Sequence, residues 1–236
     1  MRERPSGRRV MRQLWRHLGF LHWPIAADVI ARLLPPGLEV DTFDGVTYVG
    51  IVPFTIPLTR TGFGLPMAPA FHEINVRTYV HRGGRDPGVW FFSLDATSRL
   101  AVAGARLAYG LPYFAADITL AEAGGAVDYR CRRHGVEEAF AARYQPAGEV
   151  APAAPGTLEF FLAERYLLYS RSGRTLRSAR VHHAPYPLQA ATAAEVEQTL
   201  TRAGGLPPDS CAGPPPIVHY AREIDVAIFG PRRVSA

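Results

Sequence analysis

The stretch FHEINVRTYV, residues 71–80, alternates at period two. His72, Ile74, Val76, Thr78 and Val80 form one face, mostly apolar and rich in β-branched residues. Glu73, Asn75, Arg77 and Tyr79 form the other: an acid, an amide, a base and a phenol in a row. This is the period of a β-strand, whose successive side chains leave opposite faces. By default the polar face of such a strand meets water. Two features argue otherwise here. The strand lies between the apolar runs TYVGIVPF and VWFFSLDA, which places it in the middle of a sheet. Its polar row also lacks the Lys/Glu/Thr mixture of a solvated face. A central strand facing a closed interior would point these groups at one cavity.

The rest of the chain supplies many more strands and few helices. IAADVIARLLPPG reads as a short helix stopped by Pro35-Pro36-Gly37. LEVDTFDGVTYVGIVPF reads as two strands around Asp44-Gly45, and IPLTRTGFGLPMAP as a loop. TSRLAVAGARLAYG is the clearest helix. Thr97 or Ser98 caps it, Gly110 ends it, and Leu100, Ala103, Leu107 and Ala108 give an apolar stripe. Asp95, just before it, is a further candidate cap. YFAADITLAEAGGAVDYRCRRH reads as a hairpin and EEAFAARYQP as the next strand, followed by the connector AGEVAPAAPG. TLEFFLAERY reads as a helix capped by Thr157, LLYSRSGRTLRSARVHH as a hairpin, and IVHYAREIDVAIFG as a closing strand. PLQAATAAEVEQTL has the composition of a helix and the position of a strand. The sum is α+β, with a large antiparallel β-sheet, curved or closed, and a few short helices.

A chain of 236 residues, 47% apolar and 20% charged, suits one soluble domain with a sizeable core. Residues 1–13 read as a flexible basic tail, 14–230 as a single domain and 231–236 as a C-terminal tail. The net charge of +5 is concentrated in RERPSGRR and GPRR near the two ends. Basic tails explain it as well as a nucleic-acid footprint does, and interleaved basic and aromatic motifs are missing. No apolar run nears the ~18 residues of a membrane span. Two cysteines, Cys131 and Cys211, are too few for a disulfide framework. The expectation is a cytoplasmic protein with no membrane or nucleic-acid partner, its oligomeric state open to a homo-oligomer.

All 26 basic residues are arginine; the sequence contains no lysine. No side-chain amine is therefore present to form a Schiff base, and arginine is too strongly protonated to replace one. Nucleophile-elbow, Walker and dinucleotide motifs are absent. His22, His72, His182, His183 and His219 show no metal-ligand spacing, so no metal and no cofactor is expected. Glu164, Arg165, Tyr166 and Tyr169 cluster in AERYLLY, either at an ordinary junction or on a second wall of the same interior.

Several segments together resemble a known family. FLHWPI, LLPPGLEVDTFDGVTYVGIVPF, FHEINVRTYV, GVWFFSLDA, ARLAYGLPYF, LAERYLLY and HHAPYPLQ, in this order, are similar to the YqjF-like proteins, DUF2071. That family is in turn remotely similar to acetoacetate decarboxylase. The resemblance implies a large antiparallel sheet rolled into a barrel-like cone around an apolar cavity. It places Glu73 where the decarboxylases carry an active-site glutamate, and Arg106, Gly110 and Pro112 on their R-E-x-x-G-[FY]-P-K-K run. Their two adjacent lysines fall on Tyr113 and Phe114. Schiff-base decarboxylation is thus excluded on any shared scaffold.

Two readings of function follow. In the first, the protein is a lyase- or isomerase-type enzyme on a small organic acid or carbonyl compound, working without an imine. Glu73 is general acid or base, Arg77 binds a carboxylate or steadies an enolate, and Tyr113 donates to the substrate oxygen. Asn75, Tyr79 and Arg106 complete the ligand-binding set. In the second, the same cavity binds a small ligand without chemistry. The structural alternative to both is a buried Glu73–Arg77 ion pair that only fixes register.

Overall fold

The computed structural model describes residues 4–234. In chain order the elements are β1 (Arg9–Ile25), α1 (Ala27–Ala31), β2 (Glu39–Val40), β3 (Thr47–Thr61), β4 (Pro66–Ala68), β5 (Phe71–Arg82) and β6 (Arg85–Ala96). There follow α2 (Arg99–Tyr109), β7 (Tyr113–Ala123), β8 (Ala126–Arg133), β9 (Ala139–Ala151) and α3 (Leu158–Ala163). The chain closes with β10 (Leu167–Ser172), β11 (Thr175–His182), β12 (Leu188–Gln198), a 3-10 turn (Leu200–Gly204), β13 (Ile217–Phe229) and β14 (Arg232–Arg233).

All the strands belong to one sheet. The run β6-β7-β8-β9-β12-β13-β1-β3-β5 returns to its start because β5 also pairs with β6. A shorter circuit closes through β10 and β11, which bridge β6 to β13. The strands β13, β1, β3, β5 and β6 are therefore a wall shared by two interiors. This is why β5 is buried on both faces over nearly its whole length. Its Ile74 and Val76 pack with Tyr129, Phe140 and Tyr144 inside the longer circuit. Its Glu73 faces the other way, opposite Phe54, which packs with Phe20, Ala163 and Tyr186.

Pairing is antiparallel except at two joints, where β7 and β10 each run parallel to β6. A parallel joint needs a crossover, and α2 supplies the one from β6 to β7. Ser98 caps α2 by accepting from the Ala101 N–H, and Gly110 ends it in the left-handed region at φ 65°. Thr157 caps α3 in the same way through the Phe160 N–H.

Several expectations need correction. Strand β1 starts at Arg9, so residues 9–13 are in the sheet, where Arg12 pairs with Asp225. Likewise Arg232 and Arg233 pair with β11 rather than ending in a free tail; residues 1–3 and 235–236 lie outside the described residues. The expected loop after β3 is largely the β3–β4 hairpin, and the AGEV connector continues β9. The segment PLQAATAAEVEQTL is mostly strand β12. Asp44 and Gly45 do make a tight turn with positive φ, but β2 then pairs with β5 rather than β3. The apolar stripe of α2 faces outward, with Leu100 80% and Leu107 87% exposed; Val102 and Tyr109 are the buried side. Asp95 does not cap α2 but forms a two-pronged, fully buried ion pair with Arg133 at 2.6 and 2.7 Å.

Candidate functional site

Glu73 enters the second interior from β5, and the parallel joint sets Tyr113 beside it. The register Glu73–Ala96 and Leu94–Tyr113 puts both side chains on one face, one row apart. The Tyr113 hydroxyl donates to Glu73 Oε2 at 2.8 Å. Arg106 holds the joint from outside, its Nε donating to the Tyr113 carbonyl at 2.6 Å. Burial disfavours the Glu73 carboxylate and pushes its pKa up to about 8. The Tyr113 hydrogen bond opposes this shift and the nearby Asp95 charge adds to it. Burial and the neighbouring Glu73 hold the Tyr113 phenol well above its ordinary range. Both groups thus keep their protons at neutral pH, and Glu73 is the one that loses its proton first as pH rises.

Farther along the same face, Arg77 and Tyr79 both donate to the Leu162 carbonyl, at 3.0 and 2.8 Å. Leu162 is in the last turn of α3, where carbonyls lack helical partners. His22 Nε2 contacts the Tyr79 hydroxyl at 2.7 Å. Since that hydroxyl spends its hydrogen on Leu162, His22 Nε2 carries the proton and Nδ1 is bare. Gly50 makes room for this ring: a Cβ there would meet His22 at 2.8 Å. Burial, and then the Arg77 charge, keep the His22 pKa well below its ordinary value.

The opposite wall comes from the ends of α3 and β11. Buried Glu164 accepts from the Tyr186 N–H at 2.9 Å and from the Tyr166 hydroxyl. His183 lies between these two rings, with centroids 4.6 Å from Tyr166 and 4.5 Å from Tyr186. Its Nδ1 is 2.7 Å from the Ala184 carbonyl, which can only accept, so Nε2 is the bare nitrogen. Burial lowers the His183 pKa, and Arg77 is among the charges that act on it. The Tyr186 ring in turn meets Phe20, and Phe20 lies 5.7 Å from the Arg77 guanidinium. The AERYLLY cluster is therefore divided: Glu164 belongs to this wall, whereas Arg165 turns away to Asp41 at 2.7 Å.

Asn75 Oδ1, Arg77 Nε and His183 Nε2 are all buried with no hydrogen-bond partner among the described residues. Such atoms are costly to leave unpaired. Glu73 and Arg77, by contrast, bond different partners, Tyr113 and Leu162, and form no ion pair with each other. The register-pair alternative is thereby removed. Arg106 lies on the exposed side of α2, and the Tyr79 hydroxyl donates to Leu162 and meets His22. His183 and His22 were not singled out from the sequence as site residues. Two open hollows, of about 570 and 520 Å³, lie elsewhere on the surface and do not border Glu73. Among the described residues no group of three His, Cys, Asp or Glu side chains could hold a metal ion. None of their helices is long and apolar enough to cross a membrane.

Solved structures of similar shape carry the acetoacetate decarboxylase fold. The decarboxylase of Legionella pneumophila superposes with TM-score 0.66 at 13% identity, over 98% of this chain and 88% of that one. The enduracididine biosynthesis enzyme MppR, solved with pyruvate, gives TM-score 0.69 at 14% identity, over 99% and 93%. An acetoacetate decarboxylase-like enzyme of Sphingomonas wittichii gives 0.64 at 15%, over 96% and 94%. At these identities the likeness is one of fold: a large, mostly antiparallel rolled sheet with few helices. In sequence, the chain is 41% identical to the uncharacterized protein YqjF of Bacillus subtilis, over 97% of this chain and 94% of that one. The model of DUF2071, described as an uncharacterized conserved protein, matches residues 12–225. This chain therefore belongs to the DUF2071, YqjF-like family, built on the acetoacetate decarboxylase fold.

Proposed function

We propose that the interior beside Glu73 binds a small organic acid or carbonyl compound and catalyses a proton-transfer reaction on it without an imine. Enolisation, dehydration and isomerisation are the reactions in view. One observation carries the reading: a buried acid with a pKa of about 8 shares a strand face with the unpaired Asn75 Oδ1 and Arg77 Nε. A carboxyl poised near neutrality suits general acid and base work. With Oε2 accepting from Tyr113, the acid proton sits on Oε1, ready to pass to a substrate oxygen or carbon. Arg77 Nε takes a substrate carboxylate oxygen, and Asn75 Oδ1 accepts from a substrate hydroxyl. His183 Nε2, a neutral acceptor, completes the binding set from the facing wall. Tyr113 acts through Glu73, as a positioning residue that moderates its pKa. The sequence offers no lysine, so the chemistry stops short of a Schiff base.

Pyruvate is the first probe, since MppR has been solved with it and its carboxylate matches Arg77. A panel of small oxo and hydroxy acids extends the search. Glu73→Gln should abolish turnover of any substrate found while leaving its binding within a few-fold; undiminished turnover overturns the mechanism. The second reading, a binding protein without chemistry, is favoured by the same unpaired atoms, because a ligand alone would satisfy them. Recovery of a bound ligand unchanged after prolonged incubation would decide for it.

A further inference from the structure

The basic segments near the two chain ends converge on one place. Residues 5–8, the end of β13 and β14 wall a hollow of about 570 Å³ against β10, β11 and the β5–β6 turn. Among the described residues, Arg8, Arg82, Arg180, Arg232 and Arg233 line it together with one acid, Asp86. Charge that reads in the sequence as solvated tails is, in the fold, a shaped concave surface. We propose that this hollow is a second binding site, for a compact inorganic polyphosphate of the size of triphosphate.

Three features select that class. Like charges repel, and the guanidinium groups of Arg8, Arg180, Arg232 and Arg233 around one cleft raise its potential, which a bound anion would relieve. Among the described residues, Arg8, Arg180, Arg232 and Arg233 form no ion pair, and apart from the Arg232 Nη2 bond to Ser6 their N–H groups are available to phosphate oxygens. The volume falls within the small-molecule range of roughly 300–1,000 Å³, unlike the extended stripe that tracks a nucleic acid. The Arg8 guanidinium lies over one face of the exposed Phe63 ring, 4.0 Å from its centroid. The walls are held in place by ordinary contacts. Arg232 and Arg233 are in register with Ser178 and Arg177 of β11, Arg232 Nη2 donates to the Ser6 carbonyl at 3.2 Å, and the Tyr169 hydroxyl donates to the Asp86 carbonyl at 2.8 Å.

The test is calorimetric titration of the full chain with inorganic triphosphate, alongside a short single-stranded DNA. Two double variants alter different walls, Arg180→Glu with Arg233→Glu, and Arg8→Glu with Arg232→Glu. A control, Arg99→Glu with Arg130→Glu, makes the same charge change elsewhere. The expected result is saturable triphosphate binding, weakened about tenfold or more by each wall pair and less than about twofold by the control. Thermal melting confirms that each variant is folded, and either wall pair alone suffices as a test. Absence of triphosphate binding to the unaltered chain overturns the proposal. So does equal weakening by the control, or tighter binding of the DNA strand than of triphosphate, which would show a diffuse polyelectrolyte surface.

Discussion

Tyr113 reaches Glu73 across a parallel strand joint, and its hydroxyl is 2.8 Å from Oε2. The two residues are forty positions apart in the chain, and α2 is the crossover that unites them. Removing the hydroxyl removes the contact that favours the charged form of Glu73. Tyr113→Phe should therefore raise the Glu73 pKa above its value of about 8. Infrared detection of the protonated carboxyl as pH is raised checks this. A midpoint that stays in place or falls would mean that the hydrogen bond does not govern Glu73.

Glu73 also makes stability depend on pH. Its folded pKa of about 8 lies above the ordinary 4.5, so between those values the folded state holds a proton that the unfolded state has lost. Stability is then full below the unfolded pKa and falls as pH rises through the folded one, by up to about 4–5 kcal/mol. Glu73→Gln cannot ionise and lacks this loss. Urea unfolding should show the stability of Glu73→Gln gaining on that of the unaltered chain as pH rises from about 4.5 to about 8. Parallel curves would place Glu73 in a more polar setting.

Arg77 serves the fold with one hydrogen bond to Leu162, and nothing bonds its Nε. Arg77→Met should cost about 1.5–3 kcal/mol in denaturant unfolding, the value of one hydrogen bond from a charged donor. It should weaken a bound small carboxylate at least about tenfold, because a charge-assisted contact is lost. Severe unfolding with no change in affinity would assign Arg77 to structure alone.

Asp95 and Arg133 present the opposite case. Both are buried, the contact is two-pronged, and the Arg133 guanidinium also lies over Phe114 at 4.0 Å. Arg133→Met strands the Asp95 charge and should destabilise by about 3–5 kcal/mol. Adding Asp95→Asn should restore much of that loss. A double variant no more stable than the single one would show that the charge of Asp95 is not what Arg133 offsets.

The sequence revealed those parts of the fold that rest on local chemistry. The period-two stretch around Glu73 is strand β5, Ser98 and Gly110 bound α2, and Thr157 caps α3. What escaped it depends on contacts between distant segments. The stripe Leu100–Leu107 has helical spacing, yet α2 turns it outward because Val102 and Tyr109 meet the sheet. Asp95 has the position of a cap, but an arginine from the end of β8 claims it. Of the proposed site, Glu73, Asn75 and Arg77 were visible because one strand aligns them. His183 was not, since a His-His pair after a strand gives no sign of which ring turns inward. The basic ends looked like tails because pairing with β11 and β13 is long-range and leaves no local mark.

The most direct test of the central claim is proton exchange. The protein is incubated in heavy water with a panel of small oxo acids, and carbon-bound protons beside the carbonyl are followed by NMR. The account predicts faster deuterium uptake for at least one acid with the unaltered chain, and uptake at the uncatalysed rate with Glu73→Gln. Borohydride added during turnover should leave the protein mass unchanged. Equal uptake with Glu73→Gln, or a trapped covalent adduct, would contradict it.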